Sequence, residues 1–436
     1  MVEPLTGGII GCAFLLISLF SGLPVAVSLG LSGMVGIYLI EGTSGVFLSL
    51  PGAAFEKLTS IGQLAVPMFI FMGNLIIHHK IGNDLYDTVY KWLGRLPGGL
   101  AIASTGFCAL FGFMCGSGLA GAATVGGIAI PEMEKKGYSR KLSTGTLALA
   151  GTLAALIPPS VLMIIFATET YTSMGALFVG GIFPGILLAA LMGLFIGMVC
   201  LVKPELGPKG ESFSFMDKIK SLIHLMPVAA LFLTVLGGIY AGIWSPMEAG
   251  ASACLAVIII AVLYKRLKWS RVREAALDAA KTSIMVYMLI VGASILSLMF
   301  FISGLSEVIK LVVIELPLPR WGIIVLLLFI LMIMGMFMDV MAMLFISLPI
   351  FMPIVVELGY HPVWWGIIMI VACEMALITP PVGVNLFVIK GIAPRGTTLM
   401  DVALGAAPFV LVLWVFLGLL VAFPEIVMWL PNRMKG

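Results

Sequence analysis

The chain has 436 residues, of which 61% are hydrophobic and 10% are charged, with a formal net charge of +3. Soluble domains carry about 25% charged residues, so this composition excludes a water-soluble globular protein. Because a membrane-spanning helix needs about 20 apolar residues, the chain is predicted to be an all-α polytopic membrane protein.

Apolar segments predicted to cross the membrane form two groups, which a charged linker at 204–221 separates. The first group comprises 5–21, 24–40, 62–79, 141–167 and 176–202, and the second comprises 222–243, 247–264, 281–302, 362–389 and 399–425. We also expect interfacial helices at 45–60 and at the basic segment 265–281.

Two further apolar stretches, at 99–133 and 321–356, follow the third span of each group. Near its middle the first has Gly116-Ser117, and the second has Gly335 and Asp339. Two arms of about 15 residues reach only about 23 Å each, too short to cross a hydrocarbon core about 30 Å thick. Each stretch is therefore predicted to form a re-entrant helical hairpin.

The two halves of the chain resemble each other in sequence. Pro131 corresponds to Pro353, and Pro158-Pro159 corresponds to Pro380-Pro381, an offset of 222 residues. Between 131 and 159, seven of 29 positions match, where chance would give about two. Residues 1–203 and 222–436 are therefore predicted to be two repeats. Five crossings in each repeat would make the second inverted relative to the first.

Basic residues are concentrated on one side of this predicted topology. The loops at 80–98, 134–141, 203–220, 265–281 and 390–398 contain 19 of the 24 lysine and arginine residues. By the positive-inside rule this side is cytoplasmic, so both termini are expected on the periplasmic side. The hairpin at 99–133 would then enter from the cytoplasm and the hairpin at 321–356 from outside.

Two proline pairs interrupt apolar spans, at Pro158-Pro159 and at Pro380-Pro381. Proline removes a main-chain donor and clashes with the preceding turn, so each pair is predicted to break its helix near mid-bilayer. Non-helical backbone at that depth is tolerated only where it is buried in protein or lines a cavity. Carbonyl groups at half-helix C-termini favour a cation and amides at N-termini favour an anion, which predicts a central site for both.

Three polar side chains in the predicted spans and hairpins are candidates for this site. Asp339 is an intramembrane carboxylate, which is a candidate functional group by default, and Ser117 aligns with it at the repeat offset. Glu374 aligns with Thr152 and precedes the second proline pair; its pattern leaves open a functional role, a conformational lock or an interface role. The sequence has no nucleotide-binding, nucleophile-elbow or zinc-protease motif, so we do not expect an enzyme.

These features resemble the large membrane subunit of the tripartite ATP-independent periplasmic (TRAP) transporters over nearly the whole chain. The most specific matches are Gly116-Ser117, Gly137-Tyr138, Ile157-Pro158-Pro159-Ser160 and Thr379-Pro380-Pro381-Val382-Gly383-Val384-Asn385-Leu386. In that family the large subunit works with a small membrane subunit and a periplasmic binding protein that delivers organic anions, usually carboxylates. The resemblance implies sodium-driven import across the bacterial inner membrane by an elevator-type fold similar to the symporters of sodium and divalent anions.

The resemblance also implies two or more sodium ions and no organic cofactor. The first sodium site would use Cys115, Gly116 and Ser117 with backbone groups at Ile157, Pro158 and Pro159. The second would use Gly335, Asp339, Thr379, Pro380 and Gly383, and the substrate anion would be held by Ser117, Ser160, Asp339, Val382, Gly383 and Asn385. The alternative is a stand-alone ion-coupled symporter or a channel without a binding protein, since a fold alone does not decide function.

Overall fold

The computed structural model describes residues 2–380 and 383–434, apart from the side chain of Asn83. The described residues form helices and loops without a strand. In the first half the helices are Pro4–Phe20, Val25–Thr59, Ala65–His79, Asn83–Leu93, Gly99–Cys115, Gly118–Lys135, Arg140–Leu156, Val161–Thr170 and Met174–Val202. In the second half they are Phe215–Tyr240, Pro246–Leu263, Trp269–Ser303, Leu305–Ile314, Arg320–Gly335, Val340–Glu357, Pro362–Ala376, Val384–Ile392, Leu399–Ala422 and Glu425–Met428.

Many of these helices are long enough to cross a bilayer. Within the described ranges, 8 helices are long and apolar enough to span, and the pair Arg140–Leu156 and Val161–Thr170 makes a further broken span, bent by 44°. The prediction of an all-α polytopic membrane protein is confirmed. The predicted span at 5–21 corresponds to a shorter helix, Pro4–Phe20, of 17 residues.

The structure differs from the sequence prediction at several helix boundaries. Two segments predicted as loops are helices of 11 and 10 residues, Asn83–Leu93 and Leu305–Ile314. They are too short and too amphipathic to be recognised as membrane spans in the sequence. The interfacial helix predicted at 265–281 is wrong as a separate element, since Trp269–Ser303 is one helix of 35 residues. The helix expected at 222–243 begins at Phe215, inside the predicted linker.

The remaining predicted interfacial helix, at 45–60, is present as the last part of Val25–Thr59. Gly42 interrupts this helix with φ 75° and ψ −167°, a backbone conformation open to glycine but strained for other residues. The arm after Gly42 reaches the end of Val161–Thr170, where Lys57 forms an ion pair of 3.0 Å with the half-buried Glu169. The kink therefore lets one helix contribute both a span and a lateral arm.

The first halves of the two broken helices form the centre of the fold. Every residue from Leu142 to Leu156 is buried, and so is every residue from Val363 to Ala376. Both helices are surrounded by other protein, because they pack against one another and against the hairpins. This arrangement places the ends of both half-helices in the interior of the protein.

A pair of long helices, Val25–Thr59 and Trp269–Ser303, packs along one side of this centre. Close approach depends on small residues, as is usual between membrane helices. A β-carbon on Gly33 would lie 2.7 Å from the main-chain carbonyl oxygen of Ile295. We call these two helices the scaffold pair.

The close packing of the scaffold pair predicts the effect of one methyl group. Gly33→Ala should lower stability by about 1–3 kcal/mol, because the rigid backbone at Ile295 must move to accept the methyl group. The measurement is the midpoint of thermal unfolding of purified protein in detergent. Gly418→Ala is the control, since no atom lies within 4 Å of the position of its β-carbon. Equal midpoints for the two variants would contradict the packing described here.

Candidate functional site

The first hairpin consists of Gly99–Cys115 and Gly118–Lys135, which pack against each other and meet at a two-residue tip. Gly116 adopts a left-handed conformation with φ +63°, and its N–H donates to the carbonyl of Gly112 at 2.7 Å. Ser117 begins the second arm, and its hydroxyl accepts a hydrogen bond of 3.4 Å from the Ala120 N–H. Cys115 is buried and its thiol faces the Ser117 carbonyl at 3.7 Å.

The first helix break lies directly against this tip. The chain is non-helical from Ile157 to Ser160, where the sequence predicts the interruption. The Val161 N–H donates to the Gly116 carbonyl at 3.3 Å, and a β-carbon on Gly116 would lie 2.6 Å from the Pro159 carbonyl oxygen. Main-chain groups released by the proline pair are therefore brought to the hairpin tip.

The second hairpin consists of Arg320–Gly335 and Val340–Glu357. Asp339 caps the second arm, and its Oδ1 accepts hydrogen bonds from the main-chain N–H groups of Met341 at 2.7 Å and Ala342 at 3.1 Å. A carboxylate is favoured at a helix N-terminus because it satisfies free N–H groups and meets the positive end of the helix dipole. Its Oδ2 takes no part in this cap.

The second helix break follows Ala376, and the chain becomes helical again at Val384. The Thr379 hydroxyl donates to the Met375 carbonyl at 2.9 Å, while Pro380 is exposed. Gly383 adopts φ +52°. The predicted break residue Pro381 and the predicted substrate ligand Val382 lie outside the described residues.

Asn385 connects the second break to the first broken helix. Its N–H donates to the Leu377 carbonyl at 3.1 Å, and its side-chain amide donates to the Ala148 carbonyl at 3.4 Å. The Asn385 Oδ1 and the hydroxyl of fully buried Ser160 have no hydrogen-bond partner among the described residues. Buried polar atoms without partners are rare, and at a helix break they are free to bind a ligand.

A cavity of about 470 Å³ lies between the two tips on one side and Ala65–His79 and Trp269–Ser303 on the other. Cys115, Gly116, Ser117 and Asp339 line it from the hairpins. The other predicted site residues that the structure describes do not line this cavity: Ile157, Pro158, Pro159, Ser160, Gly335, Thr379, Pro380, Gly383 and Asn385. The structure thus brings only part of the predicted set to the cavity wall.

Polar residues on the opposite wall of the cavity were absent from the predicted site. They are Asn74, from Ala65–His79, and Thr282, from the scaffold pair. Both sit within spans whose apolar character dominates the pattern, so only their polarity in an apolar run could have indicated a role. Their position makes the cavity an interface between the scaffold helices and the hairpin tips.

The side chains around the cavity are acidic or neutral. Asp339 and Glu374 line it, and among the described residues no lysine, arginine or histidine does so. Glu374 is 3% exposed, and its Oε2 has no hydrogen-bond partner in the described chain. An intramembrane carboxylate without a partner is costly, so this wall favours a positively charged ligand.

The chain matches a known transporter family over most of its length. Residues 12–426 match the family described as the tripartite ATP-independent periplasmic transporter, DctM component. The C4-dicarboxylate TRAP transporter large permease protein DctM of Pseudomonas aeruginosa is 36% identical over 408 residues, covering 93% of this chain and 94% of the relative. The isethionate TRAP transporter permease protein DctMQ of Oleidesulfovibrio alaskensis is 34% identical over 378 residues. That alignment covers 85% of this chain and 58% of the relative.

A solved structure has a similar fold. The crystal structure of the Alcanivorax borkumensis YdaH transporter aligns with a TM-score of 0.66 at 15% identity. The alignment covers 97% of this chain and 99% of that one. At this identity the likeness concerns the fold alone.

The contact between the first tip and the first break predicts a strong effect of Gly116→Ala. A side chain in the left-handed region costs about 1–2 kcal/mol, and the added methyl group would also collide with the Pro159 carbonyl. Gly137→Ala is the matched control, because Gly137 has φ +75° with no atom near its β-carbon position. Thermal unfolding should show a larger loss of stability for Gly116→Ala. Equal losses would mean that the tip does not contact Pro159.

Proposed function

Because the chain belongs to the DctM component family of the tripartite ATP-independent periplasmic transporters, we propose that it imports a small organic acid together with sodium. It would act as the large membrane subunit, with a small membrane subunit and a periplasmic binding protein that delivers the substrate. The observation that carries the proposal is the convergence of both hairpin tips on one cavity beside both helix breaks. The relatives named for a C4-dicarboxylate and for isethionate favour an acid as the substrate class.

Sodium fits the chemistry of the tips and breaks. The ends of half-helices present main-chain carbonyls, Asp339 presents a free carboxylate oxygen, and buried oxygens at the breaks lack partners. Hard cations prefer such oxygen ligands. The first site would use residues 115–117 with carbonyls at 157–159, and the second would use Gly335, Asp339, Thr379, Pro380 and Gly383.

The substrate acid would bind where the second half of each broken helix begins. These N-termini, at Val161 and Val384, present main-chain N–H groups, which favour an anion. Ser160 and Asn385 offer polar side chains beside them, and bound sodium would add positive charge. Substrate would therefore bind after sodium has neutralised the acidic wall of the cavity.

The electrical driving force is adequate for accumulation. One charge moving through 100 mV contributes about 2.3 kcal/mol, so two sodium ions contribute about 4.6 kcal/mol before any concentration gradient. At about 1.4 kcal/mol per tenfold, this supports accumulation on the order of a thousandfold for a neutral substrate. An anion would accumulate less, because its own charge opposes entry.

We further propose that the chain consists of two inverted repeats. Helices that begin at Asn83, Gly118 and Arg140 have counterparts that begin at Leu305, Val340 and Pro362, each 222 residues later. This recurrence supports the threading in which both termini are periplasmic and the hairpins enter from opposite sides. The regular recurrence extends to the short helices that the apolar pattern alone missed.

Transport would follow an elevator mechanism. The hairpins and broken helices would move as one body against the scaffold pair, carrying the cavity from one side of the membrane to the other. The cavity lies at the boundary between these two parts, which supports this motion. As the tips move, they would lose their contacts with Asn74 and Thr282 and form contacts with other residues.

The proposed sodium site predicts that Asp339→Asn abolishes sodium-dependent uptake while leaving the protein folded. The amide oxygen of asparagine still accepts the cap hydrogen bonds from Met341 and Ala342, so the substitution removes the charge but not the helix cap. Uptake of the transporter's own substrate into proteoliposomes is measured against sodium concentration. Asp87→Asn, at an exposed ion pair with Lys91, is the control. Normal sodium dependence in Asp339→Asn would exclude Asp339 from the mechanism.

The tripartite arrangement predicts that uptake requires both an inward-directed sodium gradient and the binding protein. Proteoliposomes containing this chain and its small membrane subunit should accumulate substrate only with inward-directed sodium and with the purified binding protein. Omission of either should reduce uptake to the level of empty vesicles. Uptake that persists without the binding protein would favour a stand-alone symporter, and uptake without a sodium gradient would favour a channel.

A further inference from the structure

We propose that Glu374 provides the negative charge of the first sodium site, so that this site is completed by a carboxylate from the opposite half of the chain. The proposal rests on the sodium coupling proposed above and adds a ligand to it. It accounts for a buried carboxylate that takes no part in a helix cap or in an ion pair among the described residues.

The two hairpin tips differ in charge. Ser117 and Asp339 occupy equivalent positions, each as the residue that caps the second arm of its hairpin. The second tip therefore has a carboxylate, whereas residues 115–118 of the first tip are Cys, Gly, Ser and Gly. The first hairpin would therefore offer a sodium ion at its tip only main-chain and side-chain dipoles, without a formal negative charge.

Glu374 supplies a carboxylate at this place. Its Oε2 and Oε1 lie 2.8 and 3.2 Å from the point where a β-carbon on Gly118 would be, so only glycine leaves room for it. The carbonyl oxygen of Gly151 lies 3.0 Å from the same point. Two carboxylate oxygens and a main-chain carbonyl thus converge at Gly118, next to Ser117. Ser117, Gly118 and Glu374 all line the cavity.

No basic group compensates the charge of Glu374 among the described residues around it. On the helices packed against Pro362–Ala376, and on Gly118–Lys135, which Glu374 faces at Gly118, the lysine and arginine residues are exposed at helix ends: Lys135, Arg140, Lys141 and Arg320. The other ionisable side chains near the cavity are Asp339, Cys115 and the neighbouring Cys373, none of which is a cation. If Glu374 is ionised, its counter-charge must therefore come from a ligand.

A sodium ion is the ligand that the surroundings favour. Carboxylate and main-chain carbonyl oxygens are the ligands of a hard cation. The repeats would then be interlocked, since the second half of the chain would complete the site at the tip of the first half.

The test measures sodium binding independently of transport. Purified wild-type protein should unfold at a higher temperature in sodium chloride than in potassium chloride at equal ionic strength. In Glu374→Gln the sodium concentration for half of this stabilisation should rise at least tenfold, because the formal charge is lost while the side-chain shape is kept. In potassium chloride the variant should be as stable as the wild type or more stable, because it no longer buries an uncompensated charge.

The matched control is Glu357→Gln, the same substitution at an exposed glutamate 3.9 Å from Lys310. It should leave the sodium response unchanged. Gly118→Ala is the second variant, used if Glu374→Gln does not fold, because its methyl group would displace the carboxylate and should also raise the sodium requirement. An unchanged sodium response in Gly118→Ala would then overturn the proposal.

The outcomes separate this inference from the proposed function. If sodium does not raise the unfolding temperature of the wild-type protein, both the proposed sodium coupling and the role assigned to Glu374 are wrong. A wild-type response that Glu374→Gln retains would remove only the role of Glu374. A retained response together with an altered pH profile of uptake would identify Glu374 as a proton-binding group and also overturn the sodium assignment.

Discussion

The structure depends on one constraint: main-chain polar groups at the depth of the bilayer interior must be paired or enclosed by protein. The proline pair at Pro158-Pro159 frees such groups in the middle of a span, and the structure encloses them between the first hairpin and the other central helices. The hydrogen bond from Val161 to Gly116 satisfies one released group directly. The break is therefore stable because a hairpin tip is packed against it.

The same constraint makes the centre the place where we propose that a ligand binds. Some polar atoms at the breaks remain without partners, among them those of Ser160, Asn385 and Glu374 within the described chain. In a core with only a structural role, such unpaired atoms would lower the stability of the fold. Beside a cavity lined by two carboxylates and no described base, they are part of the surface at which we propose that a cation binds. Binding of that cation would in turn prepare the same surface for an acid.

Much of the architecture follows from local patterns. Long apolar runs predict the spans, glycine and polar residues in the middle of 99–133 and 321–356 predict two helical arms, and proline pairs predict interruptions. Where the pattern was weak, prediction was wrong: short amphipathic helices such as Asn83–Leu93 look like loops when only membrane-length runs are sought. The continuous helix Trp269–Ser303 was divided because its basic first turns look like an interfacial element.

Composition and periodicity were enough to establish the membrane class, the approximate spans and the chemical character of the tips, because these depend on residues close together along the chain. The meeting of Glu374 with Gly118 and of Asn385 with Ala148 was decided by the tertiary structure alone. Each joins residues from opposite halves of the chain, and its geometry depends on how buried helices pack around glycine. No local pattern specifies which side chain fills the space that a distant glycine leaves open.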